Sequence, residues 1–250
     1  MYGIFLLSIP LASSLAGGSL KDGVNNVIKH IDSSKDDYER LIHAREKLKL
    51  IVGRDVNGLN QDEILRATAE TASENAIDGI FAPLFWMIIG ASMWKISNAL
   101  PGPLAMAWGF KASSTIDSML GYKTGNLKWI GFSGAKLDDL LTWIPCRLVL
   151  LTLPLISGKL ISYFRVINIA NIEGSKYISP NAGRSQAIFS QCIGIKMGGT
   201  NSYNGIKEMK PIIGNSFPKP NIGSVERIIS LSYKLEILWL ILMLLLFNLN

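Results

Sequence analysis

Residues 52–86, VGRDVNGLNQDEILRATAETASENAIDGIFAPLFW, set a dense group of charged side chains directly before a long apolar run. That junction narrows the possible folds, because the charges need partners or water while the apolar run needs a core or a bilayer. Asn60 with Glu63 three residues on is a capping-box pattern, which predicts a helix starting near Gln61. At about 100° per residue, Glu63, Arg66, Glu70 and Glu74 share an arc of roughly 80°. Leu65, Ala69, Ala72 and Ala76 occupy the other side, where small residues let a neighbouring helix come close. Glu70 and Glu74 are like charges at i,i+4, a conflict that Arg66 or a bound cation would remove. A solvated helix face is the alternative reading; the apolar run that follows favours one wall of an active site near a membrane surface.

Of the 250 residues, 48% are hydrophobic and 18% charged, with a mean hydropathy of +0.28. These values predict an all-α, polytopic membrane protein with polar cytoplasmic loops and amphipathic helices, in one domain spanning 1–250. The net charge of +6 is spread along the chain and gives no nucleic-acid signature. Cys146 and Cys192 are isolated, which excludes a zinc or disulfide framework, and His30 and His43 read as exposed polar residues.

Four stretches are candidate membrane segments: 1–20, 79–110, 140–164 and 235–249. The second is interrupted by Pro83, Gly90 and the PGP of 101–103. A broken or re-entrant hairpin is the favoured reading there, since it returns residues 111–139 to the side of Arg66, Glu70 and Glu74. Arg147 falls within the third segment, two turns beyond Asp139, and an intramembrane arginine marks a functional site. Basic residues crowd 21–54 and 165–234, which the positive-inside rule assigns to the cytoplasm. Ser179 and Pro180 read as a helix start with Arg184 beside it, and GIKMGGTNSYNG, residues 194–205, as a glycine loop; both suit an anion. P-loop, GxGxxG, GxSxG and HExxH motifs are absent.

Six blocks in order carry a family likeness: VGRD (52–55), RATAETASENAIDGIFAPLFW (66–86), TIDSMLGYK (115–123), KLDDLLTWIPCRL (136–148), SPNAG (179–183) and MGGTNSYNG (197–205). Together they resemble the CbiB/CobD family of cobalamin biosynthesis, the adenosylcobinamide-phosphate synthases, from about residue 48 to 214. The resemblance implies a multi-pass protein of the bacterial inner (plasma) membrane, its site facing the cytoplasm. The implied reaction joins the propionate of adenosylcobyric acid to the amine of aminopropanol phosphate, using ATP and Mg²⁺. By side-chain chemistry Glu70, Glu74, Asp78 and Asp117 are the candidate catalytic acids, with Glu70, Glu74 and Asp117 as magnesium ligands. Asp138 and Asp139 stand behind them. Arg54, Arg66, Lys123 and Arg147 are candidate clamps for phosphate or carboxylate, and Asn181 a polar liner. Expected partners are the corrinoid and amino-alcohol phosphate substrates, membrane lipids and neighbouring cobalamin-assembly enzymes.

The chain departs from the family pattern at Ser114, Thr142, Cys146 and Gln186, the last standing where an acid is frequent, and it is expected to lack a usual hydrophobic N-terminal region. A non-catalytic scaffold and a transporter are the rival readings; charges clustered near one membrane face favour the enzyme.

Overall fold

The computed structural model describes residues 2–31, 38–120 and 128–248, which are mostly helical. In chain order these are α1 (Tyr2–Ser14), α2 (Gly17–Ile28), α3 (Tyr38–Lys49), α4 (Gln61–Ala76), a π-helical turn (Ile77–Phe81), α5 (Ala82–Ile96) and α6 (Pro103–Leu120). Then follow α7 (Lys128–Ile156), a short 3-10 turn (Leu160–Ser162), α8 (Tyr163–Gly174), α9 (Ala182–Ile193), strands β1 (Met197–Tyr203) and β2 (Ile206–Ile213), and α10 (Ile222–Asn248). The helical class expected from the sequence holds. The departure is the antiparallel β1–β2 hairpin, which occupies the stretch read above as a glycine loop.

Among the described residues, three helical runs are long and apolar enough to cross a membrane: Gln61–Ile96, Gly131–Ile156 and Ile222–Phe247. The boundaries differ from the sequence reading for local reasons. Residues 1–20 are divided, because α1 is only 13 residues long and α2 begins after a break. The apolar helix expected over 140–164 stops at Ile156, since Gly158 adopts φ +80, which ends a right-handed helix. The last helix starts at Ile222, well before residue 235, where Asn221 and Ser224 cap each other: each backbone N–H donates to the other's side-chain oxygen at 2.8 Å.

The chain divides into two compact units. The first comprises Met1–Gly17, Ile77–Val149 and Trp239–Asn250. In it α5 and α6 pack as a helical hairpin, and a Cβ on Gly90 would lie 2.6 Å from the Gly102 carbonyl carbon. Pro83 has no N–H to offer the preceding turn, and the Gly79 carbonyl instead accepts the Ala16 N–H at 2.7 Å. Trp108 Nε1 donates to the Pro10 carbonyl at 3.1 Å, tying α6 to α1.

The second unit comprises Gly18–Ala76 and Leu150–Leu238. The small face of α4 lies where the sequence puts it: Ala69, Ala72 and Ala76 are fully buried, and α4 packs on α3, α9 and β1. The Ser185 hydroxyl donates to the Ser73 carbonyl, locking α9 against α4. Helices α8 and α9 touch at Gly174 and Gly183; a Cβ on Gly174 would lie 2.6 Å from Arg184 Cα, and one on Gly183 the same distance from Tyr177 Cβ.

Because rigid backbone limits relief at that crossing, Gly183→Ala is expected to lower unfolding stability by about 1–3 kcal/mol. Gly18→Ala, whose Cβ meets nothing within 4 Å, is the control. Thermal unfolding of the purified chain in detergent checks the pair, and equal transitions would remove the packing argument.

Candidate functional site

The polar face of α4 meets the β1–β2 hairpin within the second unit. Glu70 is 2% exposed, yet its carboxylate is fully partnered. Arg54 Nη1 lies 2.6 Å from Oε2, and Arg66 Nη1 lies 3.1 Å from Oε1. The Gly198 N–H donates to Oε1 at 2.8 Å. Asn201 Oδ1 accepts from Arg54 Nη1 at 2.8 Å and from Arg66 Nη1 at 3.1 Å, bridging the two guanidinium groups. Arg66 also donates to the carbonyls of Gly198 at 3.0 Å and Thr200 at 2.9 Å. Burial opposes the charge on Arg54, but the Glu70 carboxylate beside it outweighs that and holds its pKa above the ordinary value.

Local sequence explains how the hairpin reaches this carboxylate. Asn204 and Gly205 both have positive φ, +51 and +79, as a two-residue type I′ turn demands. At the other end of the ladder the register shifts between Met197 and Gly199. Gly198 sits in this bulge at φ +85, where a side chain would run into the Pro211 carbonyl. The bulge turns its N–H onto Glu70. Asp55 grips the tip, accepting from the Ser202 hydroxyl at 2.7 Å, the Gly205 N–H at 2.8 Å and the Asn204 N–H at 3.2 Å. The Gly205 and Ser202 hydrogen bonds lead in holding the Asp55 pKa below the usual carboxylate value.

Clefts surround this node. One of about 300 Å³ is lined by Arg54, Glu70, Glu74, Tyr177 and Gln186 among others. Another of about 590 Å³ is lined by Arg66, Lys196, Gly199, Phe217 and Lys219. Burial, then Glu70 and Glu74, push the Tyr177 phenol upward, so it stays protonated and donates to the Pro211 carbonyl at 3.0 Å.

The structure brings Arg54, Arg66, Glu70 and Glu74 together. Asp78, in the π-helical turn, and Asp117, in α6, belong to the first unit. Asp117 there lies near Asp138 and Asp139, and burial and then the Asp139 charge raise its pKa. Arg147, also in the first unit, donates to the Trp143 carbonyl at 3.0 Å and lies 4.5 Å from that indole centroid. Asn181 is buried just before α9. Lys123 lies outside the described residues. Arg184, expected beside an anion, ties α9 to α8, donating to Asn171 Oδ1 and the Pro180 carbonyl at 2.7 Å each.

The donor set around Glu70 does not fit a magnesium ion. Both oxygens already receive N–H groups, two of them cationic. Among the described residues, no three Asp, Glu, His or Cys side chains are gathered to hold a metal. Sequence reasoning missed Asn201 and Gly198 as partners of the arginines and of Glu70; the Asn-Gly pair at 204–205 was the available signal for the hairpin that delivers them.

Fold and site thus define a helical protein with apolar helices of membrane length and a buried carboxylate between two arginines and a backbone amide. The profile of the family described as CobD/Cbib protein matches residues 1–232. The chain belongs to the CobD/CbiB family. It is 38% identical over 224 residues to "Cobalamin biosynthesis protein CobD" of Synechocystis, covering 90% of this chain and 62% of that one. It is 35% identical to the CobD protein of Yersinia enterocolitica, covering 91% and 67%, and 36% identical to "Cobalamin biosynthesis protein CbiB" of Salmonella typhimurium, covering 88% and 64%. The chain therefore spans about two thirds of the length of these relatives. No solved structure matches it.

Two outcomes are expected. Removing one partner of the buried pair leaves an uncompensated charge, so Glu70→Ala and Arg54→Ala should each destabilise by about 3–5 kcal/mol. Their double variant should lose clearly less than the sum, and additive losses in denaturant titrations would dismiss the pair as a unit. For Asp55 the folded pKa lies below the unfolded one, so its contribution is present above about pH 4 and is lost as pH falls through the folded value. Protection factors of the Asn204 and Gly205 amides, taken against the intrinsic exchange rate at each pH, should fall in that acid window, and in Asp55→Asn they should no longer vary with pH across it.

Proposed function

We propose that the chain acts in cobalamin biosynthesis, converting adenosylcobyric acid to adenosylcobinamide phosphate by ATP-dependent amide formation with aminopropanol phosphate. The observation that carries this reading is the family match across residues 1–232, with relatives named as cobalamin biosynthesis proteins. A carboxylate does not condense with an ammonium group unaided: the acid must be activated, and the amine must lose its proton to a base. Glu74, partly buried beside the Glu70 node and lining a cleft, is the candidate base. Arg54 and Arg66 line clefts while holding Glu70, which supports a role in receiving an anionic substrate group. Lys123, Arg147 and Asn181 are further candidates for polar contact with substrate, and Asp78 for acid chemistry.

Magnesium, when bound, would neutralise charge on nucleotide phosphates, and it commonly takes only one or two protein carboxylates. Asp117, with Asp138 near enough to feel its charge, fits that pattern; Glu70 does not. The apolar helices and the nine basic residues of 165–234 support a multi-pass protein of the inner membrane with its active site facing the cytoplasm.

The test is product formation from adenosylcobyric acid, aminopropanol phosphate, ATP and Mg²⁺ by the purified chain, beside a full-length relative. Product from the parent, and at least a hundredfold loss in Asp117→Asn at equal protein level, are expected. Inactivity of the parent where the relative is active would favour a scaffold; an undiminished Asp117→Asn would remove that carboxylate from the reaction.

A further inference from the structure

The cleft of about 300 Å³ carries two chemically different sets of groups. One set accepts hydrogen bonds. Gln186 of α9 donates its Nε2 to Glu74 Oε1 of α4 at 2.5 Å. That orientation is fixed by chemistry, since the flipped amide would set its oxygen against the carboxylate. It leaves Gln186 Oε1 buried, on a residue 4% exposed, with no donor among the described residues. A buried acceptor without a donor costs about 1–3 kcal/mol, and a neighbouring carboxylate makes a cationic donor the best relief. The other set is cationic. Lys176, from the α8–α9 connection, and Lys210, from β2, line the same cleft together with Ser179. Lys210 is held by Glu208 at 3.0 Å and lies 5.6 Å from the Tyr203 ring centroid.

Neither set explains the cleft by itself. A bare amine would leave the lysines without purpose, and a bare anion would face Glu74 and leave Gln186 Oε1 unsatisfied. We infer that this cleft seats a small molecule bearing both an ammonium and an anionic group, the ammonium on Gln186 Oε1 and Glu74, the anion on Lys176 and Lys210. The volume lies at the small end of ligand pockets, about 300–1,000 Å³, and suits a compact molecule. Choosing an amino-alcohol phosphate as that molecule rests on the function proposed above; the zwitterionic character of the cleft does not.

The experiment is calorimetric titration of the full chain in nanodiscs with 1-aminopropan-2-ol phosphate, and with 1-aminopropan-2-ol and propyl phosphate as half-ligands. The whole ligand is expected to bind at least tenfold tighter than either half. Gln186→Met should weaken the whole ligand about tenfold and leave propyl phosphate unchanged. Lys176→Ala with Lys210→Ala should weaken both phosphorylated ligands about tenfold, and this arm does not depend on core packing if Gln186→Met fails to fold. No binding, or affinities indifferent to both sets of variants, would overturn the inference and leave the Gln186 oxygen to water. The expected binding pattern without product formation would overturn the proposed reaction but not the cleft. Product formation with an unaltered KM in Gln186→Met would overturn the cleft but not the reaction.

Discussion

A single buried carboxylate organises the polar half of this protein. Glu70 lies between Arg54, Arg66 and the Gly198 amide, and each contact comes from a different place in the chain: the turn before α4, α4 itself, and a strand 128 residues downstream. Desolvating one carboxylate and two guanidinium groups is costly, and such clusters contribute more to fixing an arrangement than to net stability. Asn201 completes the cluster by accepting from both arginines. The bulge at Gly198, the Asn-Gly turn and the Asp55 clasp follow as geometric requirements of getting a strand's amide onto that oxygen.

This arrangement changes how the glycine-rich stretch is understood. A row of backbone amides was expected to line an external anion. The anion its bulge receives is the protein's own, and the arginines on α4 and in the VGRD turn are engaged from within. At the margin of the node, Glu74, Gln186 and two lysines line a cleft. Saturating the central carboxylate keeps its neighbours in place.

The sequence disclosed a good deal of this, for identifiable reasons. The capping box was legible because it is local, and Asn60 and Glu63 do exchange hydrogen bonds, at 2.9 and 3.0 Å. The two faces of α4 were legible from period alone, and family blocks placed the chain among its relatives. What escaped depended on contacts between distant residues. That Glu70 would be consumed by Arg54 and an amide at residue 198 has no signature in spacing. The hairpin was within reach, since Asn-Gly between residues of alternating character is a turn signal; the abundance of glycine in MGGTNSYNG drew attention to loops instead. The end of α7 at Ile156 was hidden because Leu160, Ile161 and Phe164 continue the apolar composition past the glycine that breaks the helix.

The long separation inside the Glu70 cluster also bears on how the chain comes into being. At a synthesis rate of about 5–20 residues per second, the segment bearing Gly198 emerges roughly 6–25 seconds after Glu70. During that interval α4 has left the ribosome with its acidic and basic face lacking the strand that closes it, while the apolar helices encoded between them enter the bilayer. Closing so long a loop carries an entropic charge that local contacts do not. Birth order alone therefore makes the polar centre the late-maturing part of the molecule, assembled only after the intervening membrane segments are laid down.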